Sequence, residues 1–345
     1  FRRVLFRSSV VLLYHGRITK PEDKDVQKPA FLITIDTEGD NLWQKNDSIT
    51  TENAKYLPRF QAVCEKYGFK PVYLTNYEMA IDPFFIEFGQ DVIARGTAEI
   101  GMHLHAWNSP PETPLTDNDW RYKPYLIEYS DALMREKVDF MTKLLQDTFQ
   151  TKMRSHRAGR WAFDERYARL LVEYGYEVDC SVTPKVNWKT AKGAPQGTGG
   201  TDYRHFPLQA YFLDENDISK PGNSSLLEVP MSIQFKHSAL MNSIKQGYDK
   251  LRGKLRSPSV HWLRPMGGNV DTMQRVVEQT LAQGNDYVEY MLHSSEYMPG
   301  GSPTFKNEQD IERLYDDLES FFTWLQPRVK GMTLADYYQQ KIVQR

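Results

Sequence analysis

From residue 30 onward the chain alternates. Short runs of β-branched and other apolar residues are followed by stretches of helical period, a rhythm that specifies βα units on a parallel sheet. About eight strand candidates follow: 30–36 (AFLITID), 71–75 (PVYLT), 98–105 (AEIGMHLH), 152–157, 176–182 (YEVDCSV), 226–234 (LLEVPMSIQ), 259–265 (SVHWLRP) and 286–293 (DYVEYMLH). Between them, Asp164 reads as an N-cap. Tyr167, Leu170, Leu171 and Tyr174 make an i, i+3, i+4, i+7 stripe, and Gly175 closes that helix. Met134, Val138, Met141 and Leu145 form a similar stripe on the preceding helix, and Ile311, Leu314, Tyr315, Leu318 and Leu325 another near the end. Stripes of this kind are core positions. A long βα series points to a barrel, although an open doubly wound sheet gives the same one-dimensional pattern.

One interval breaks the rhythm. Residues 183–225 hold GAPQGTGGTDY and KPGNSS with little periodicity, which predicts a functional lid or insertion. The expected organisation is an N-terminal extension over 1–29, an elaborated α/β domain over 30–300 carrying that insertion, and a C-terminal helical appendage over 301–345 packed on it. The opening FRRVLFRSS has no initiator Met, and its LFRS is what a common sequencing adapter encodes when read as protein, so the start is left unassigned. No run approaches the roughly 18 to 20 apolar residues that span a bilayer. SSVVLLYHG is short and lacks a small-residue cleavage site, so no membrane anchor is expected, and any export signal is left open with the unassigned start.

Charge narrows the partners. A formal net charge of −2, from 43 basic and 45 acidic residues spread along the chain, offers no basic stripe for a phosphate backbone, so nucleic acid is not an expected partner. The two cysteines, Cys64 and Cys180, each lie in apolar stretches without CxxC spacing. Neither a disulfide framework nor a thiolate metal site is indicated, and a cytoplasmic location is expected, with export left open by the unassigned start.

Polar residues collect where the strands end. Asp36, Glu38, His103, His105, Arg157, Asp179 and His293 all fall at or just beyond the C-terminal ends of predicted strands, the rim on which α/β folds build their sites. Asp36 and Glu38 are two apart, so extended backbone points both to one side; two crowded carboxylates call for a shared cation or proton. A solvated turn or helix cap is the alternative for TEGDN. His103 and His105 are again i, i+2, and two imidazoles with a carboxylate make an open site for a divalent metal, Zn²⁺ first, with Co, Ni, Mn or Fe as alternatives. Their alternative is a hydrogen-bonded pair at a strand end. Arg157 is placed to hold a carboxylate ionised, and His293 to donate a proton to a leaving group. Asp179 is a candidate to orient an imidazole or, equally, a cap or turn residue. Arg160, Trp43, Trp107 and Trp161 lie close to these motifs and are candidates to bind substrate, Arg160 with a plain surface or phosphate-binding role as its alternative, the tryptophans as platforms for sugar rings or as packing.

This set resembles the polysaccharide deacetylase family, the NodB-homology enzymes of carbohydrate esterase family four, over roughly residues 30 to 300. The family's acidic strand end matches TIDTEGD, which implies Asp36 as catalytic base and Glu38 as metal ligand. Its histidine motif, preceded by an EIG-like run, matches EIGMHLH and implies His103 and His105 as metal ligands. Its Arg that positions the base matches Arg157, and its Leu-His strand end with the general acid matches Leu292 and His293. Three departures stand out: Thr37 at the usual second-acid position, a second histidine at i+2 with Trp107 at i+4, and RAGRW in place of RxPY. RAGRW and HSSExxPGG look like a divergent branch associated with lipopolysaccharide or capsule gene clusters. The resemblance implies a distorted (β/α) barrel, a divalent metal, a carbohydrate substrate and hydrolysis of an N-acetyl group on an amino sugar, with Asp179 orienting His293. The rival expectations are a degenerate carbohydrate-binding protein and a hydrolase of another C–N amide, such as a ureide or formyl group.

Overall fold

The protein is described from a computed structural model that covers residues 28–40, 42, 48–236 and 259–345. Among these residues the strands are β1 (Ala30–Thr37), β2 (Pro71–Thr75), β3 (Glu99–Leu104), β4 (Ser155–Ala158), β5 (Val178–Asp179), β6 (Tyr211–Asp214), β7 (Asp217–Pro221), β8 (Leu227–Glu228), β9 (Ile233–Phe235), β10 (Val260–Trp262), β11 (Tyr287–His293) and β12 (Lys330–Met332). Every predicted strand region carries strand backbone. The order β11-β1-β2-β3-β4-β5-β8 is parallel throughout, the β6–β7 hairpin extends it antiparallel, and β9 pairs with β10 apart from it. All eight residues of β1 are buried, as expected of a parallel strand flanked on both sides.

The sheet curls into a distorted barrel. Between β8 and β11 the wall is closed by isolated bonds in place of a ladder: Met231 N to Val182 O (2.9 Å), Leu263 N to Ser232 O (3.1 Å) and Glu289 N to Ser232 Oγ (2.9 Å). The predicted strand 226–234 divides here into β8 and β9, with Pro230 between them; proline lacks the N–H that a continuous ladder requires. Two further elements were not expected from the sequence. The interval 183–225 contains the β6–β7 hairpin, and the C-terminal segment supplies β12, which pairs with Ala30, Phe31 and Leu32 of β1.

Alternation along β1 sorts its side chains into layers. Phe31, Ile33 and Ile35 join the core formed with the surrounding helices, among them Asp131–Phe149, which buries the predicted stripe Met134, Val138, Met141 and Leu145. Ala30 and Leu32 face the lumen, where they pack with Val72, Val178, Leu227 and, from the C-terminal helix Leu334–Gln344, Leu334 and Tyr337. That helix is the floor of the barrel. Going up the same face of β1, the apolar floor gives way to Thr34 and Asp36, both buried. Thr37 lies on the opposite face and hydrogen-bonds Ile35 O (2.9 Å), so strand parity turns it away from the lumen. No helix among the described residues is long and apolar enough to cross a membrane.

Candidate active site

Strand register assembles the upper lumen. Asp36 stands opposite His293 across β1 and β11, and His103 opposite Arg157 across β3 and β4. The centre of the cluster is Arg157, fully buried. Its Nη1 donates to Asp36 Oδ1 (2.6 Å), its Nη2 to Glu289 Oε1 (2.5 Å) and Thr34 Oγ1 (2.7 Å), and its Nε to Cys180 O (3.2 Å). Burial alone would raise the Asp36 carboxyl. The charges of Arg157, His103 and His293 and the bond from Arg157 outweigh it and hold Asp36 below the usual carboxylate range. Glu289 shares the same guanidinium less favourably, and burial pushes it up to about 7.

Glu38, His103 and His105 converge, all buried. The separations are 3.2 Å between the two Nε2 atoms, 3.6 Å from Glu38 Oε2 to His103 Nε2 and 3.4 Å from Glu38 Oε2 to His105 Nε2. Ligands about 2.1 Å from one ion at tetrahedral angles stand about 3.4 Å apart, so this triangle fits a zinc-sized divalent cation. His103 Nδ1 lies 2.9 Å from Arg157 O, so Nε2 faces the triangle; burial opposes charge on this ring, but Asp36 and Glu38 prevail and raise its pKa, so a cation bound there would displace the Nε2 proton. Burial, followed by the positive field of His103, Arg160 and Lys123, holds His105 well below the ordinary imidazole value. It is therefore neutral, the form that ligates.

His293 occupies the other side of Asp36, with its Nε2 3.9 Å from Asp36 Oδ2. Glu296 Oε2 accepts from both the backbone N and Nδ1 of His293 (3.0 Å each), and Arg264 Nη2 holds both oxygens of Glu296 at 2.6 Å. Burial opposes charge on His293, but the bond to Glu296 and the carboxylates Glu38, Glu296 and Asp36 prevail and raise its pKa. Asp179 orients an imidazole, but that of His156 and not that of His293. It alternates on β5 with Val178 and Cys180, which take the lumen face, so its carboxylate points to the helix side and bonds His156 Nδ1 (2.6 Å). His156 in turn bonds the Tyr167 hydroxyl (2.6 Å), a structural pair buried away from the cleft.

A cleft of about 600 Å³ opens above these groups, lined by Asp36, Glu38, His103, His105 and His293 and walled by aromatic residues. Trp107 stacks on His105 (centroids 5.7 Å apart), and Trp161, Trp188 and Trp262 form the facing wall. Arg160 lines the cleft beside Tyr125. Trp43 lies outside the described residues.

No protein-family model matches the sequence, and no curated protein does. Solved structures match it at low identity. A putative polysaccharide deacetylase from Mycobacterium smegmatis superposes with a TM-score of 0.56 at 12% identity, over 95% of this chain and 93% of that one. A putative glycoside hydrolase/deacetylase from Parabacteroides distasonis gives 0.60 at 12% identity, over 93% and 73% of the two chains. The chain has the polysaccharide deacetylase fold. An allantoinase, Puue, also superposes, with a TM-score of 0.51 at 12% identity over 90% of this chain and 89% of that one.

On this deacetylase fold, several residues of the site were passed over in the sequence. Glu289 had a signal, an acid within an otherwise apolar strand, YVEYMLH, in step with His293 by period two. Glu296 had another, as an acid three residues after His293. Gly159 had one only in the structure: a Cβ there would lie 2.3 Å from His105 Cδ2 and 2.4 Å from Leu104 O, so nothing larger fits beneath the imidazole. Trp188 comes from the aperiodic insertion, where its Nε1 donates to Thr183 Oγ1 (2.8 Å).

Proposed function

We propose that the protein is a metal-dependent hydrolase that removes an N-acetyl group from an amino sugar of a polysaccharide or glycolipid precursor. The observation that carries this reading is one cleft holding a Glu-His-His triangle of 3.2 to 3.6 Å edges beside an ionised Asp36 and a His293 poised to be cationic. Glu38, His103 and His105 would hold the cation, with Zn²⁺ favoured by the two nitrogen ligands. When bound, the ion supplies polarisation of the acyl carbonyl and of the attacking water. Asp36 accepts the proton of that water, and Arg157 fixes the carboxylate for the task. His293, held by Glu296, donates its proton to the departing amine. The tryptophan walls are suited to sugar rings, whose axial C–H faces pack on indole.

The test is acetate release from N-acetylated amino sugars before and after chelation. Turnover that disappears with the chelator and returns with zinc is expected; turnover indifferent to the chelator contradicts the reading. The likeness to an allantoinase supports a second reading, hydrolysis of a ureide or formyl group at the same site. Allantoin and N-formylated sugars assayed beside the N-acetylated ones separate the two.

A further inference from the structure

One wall of the cleft carries positive charge that the proposed chemistry does not use. Lys123 and Arg160 both line the cleft, and neither makes an ion pair among the described residues. Arg160 Nη1 donates to the backbone oxygen of Lys123 and Nη2 to Lys192 O (3.1 Å), so the two cationic residues are tied together. Each is braced against a ring: Lys123 Nζ lies 5.1 Å from the Trp107 centroid, and Arg160 Cζ 4.1 Å from that of Tyr125. Lys123 Nζ donates to Leu42 O (2.7 Å), one acceptor for a group that offers three protons.

Both residues also hold unfavourable backbone. Among the described residues five non-glycine residues have positive φ, and three of them, Lys123 (48°), Arg160 (55°) and Trp161 (62°), line this cleft. Left-handed backbone is strained for a non-glycine residue and persists where surrounding structure imposes it, as at active sites, ligand clamps and switch regions. Burial disfavours the charge on Lys123, the Glu38 carboxylate favours it and the nearby Arg160 opposes it, with a net downward shift. Two like charges held side by side at this cost, in a half-enclosed cleft, match a negatively charged ligand group that would relieve their repulsion.

We propose that the substrate is an acidic sugar whose carboxylate or phosphate seats against Lys123 and Arg160. This rests on the reading of the cleft as a sugar site and narrows its substrate class. The two cations then select among N-acylated sugars by charge, while Trp161, Trp188 and Trp262, which line the same cleft, bind apolar faces of the sugar.

Calorimetric titration of the full-length protein, with and without zinc, tests this with three probes: N-acetylglucosamine, its 1-phosphate, and an N-acetylated hexosaminuronic acid. At least one acid is expected to bind about tenfold or more tightly than the neutral sugar, with an advantage that shrinks as salt rises. The stronger of the two identifies phosphate or carboxylate as the group. In K123M the preference for the acid is expected to disappear, and R160M provides the same readout from the second cation. A neutral sugar bound as tightly as both acids, no acid bound at millimolar concentration, or a K123M that weakens all three probes equally overturns the proposal. Acetate release from the same probes is scored separately. Charge preference without hydrolysis defeats the deacetylase reading and leaves this one standing, while hydrolysis without charge preference does the reverse.

Discussion

Arg157 has one positive charge and two carboxylates bonded to it, and the division between them sets the chemistry. Asp36 also feels His103 and His293 and stays ionised, while Glu289, deeper in the barrel, is pushed up to about 7. Replacing Asp36 with Asn should lower kcat by about 10² to 10⁴, the range for loss of a general base, with bound metal retained because Asp36 is not in the ligand triangle. Activity and metal content measured on the same preparation check both halves. His293 must be protonated to act as an acid, and its pKa is raised, so kcat/KM should fall only as the pH climbs through a value above the ordinary imidazole range. Glu296 is one of the groups that raise it. In E296Q the proton is held less tightly, and the alkaline limb of the profile should move to lower pH. A limb that stays in place, with only a drop in kcat, would show that Glu296 does not tune the acid.

At the scale of elements, the site depends on how closely the RAGRW turn approaches the histidine strand. A methyl group on Gly159 would collide with both His105 and the Leu104 carbonyl, so G159A should displace the imidazole and weaken metal binding by on the order of tenfold or more, measured by competition with a chelating dye. This contact joins residues more than fifty positions apart and has no trace in one sequence. What was legible obeys period two: Asp36 with Glu38, and His103 with His105, could be paired because an extended strand points alternate residues to one face. Position at a strand end was not enough at Asp179, whose imidazole partner is His156 and not His293. Apolar Val178 and Cys180 on either side give no clue to which face of β5 meets the lumen, and the parity that placed His156 on the helix side took Asp179 with it. Glu296 was overlooked because it follows the strand on a helical turn, where period two no longer applies. The insertion was expected to serve the site, but the Trp188 wall depends on pairings, such as Trp188 N with Thr201 O (3.0 Å), that lie outside any regular repeat.

For the molecule as a whole, the barrel is a stack: an apolar floor, a polar middle centred on Arg157, and the open cleft above. The floor is completed by the last helix, so stability and chemistry draw on opposite ends of the same lumen. Tyr337 is fully buried there and its hydroxyl donates to Asp286 Oδ1 (2.7 Å). Y337A should cost about 3 kcal/mol in urea unfolding, the usual scale for emptying an aromatic site in a core, and leave turnover per folded molecule unchanged. At the upper end everything turns on whether the Glu38, His103 and His105 triangle holds an ion. The most direct measurement is metal per chain after equilibrium dialysis against zinc, for the wild type and for E38A. One tightly held zinc per wild-type chain, lost or bound far more weakly in E38A, is the predicted result; a wild-type chain that holds none, or an E38A chain that holds zinc as tightly, would contradict it.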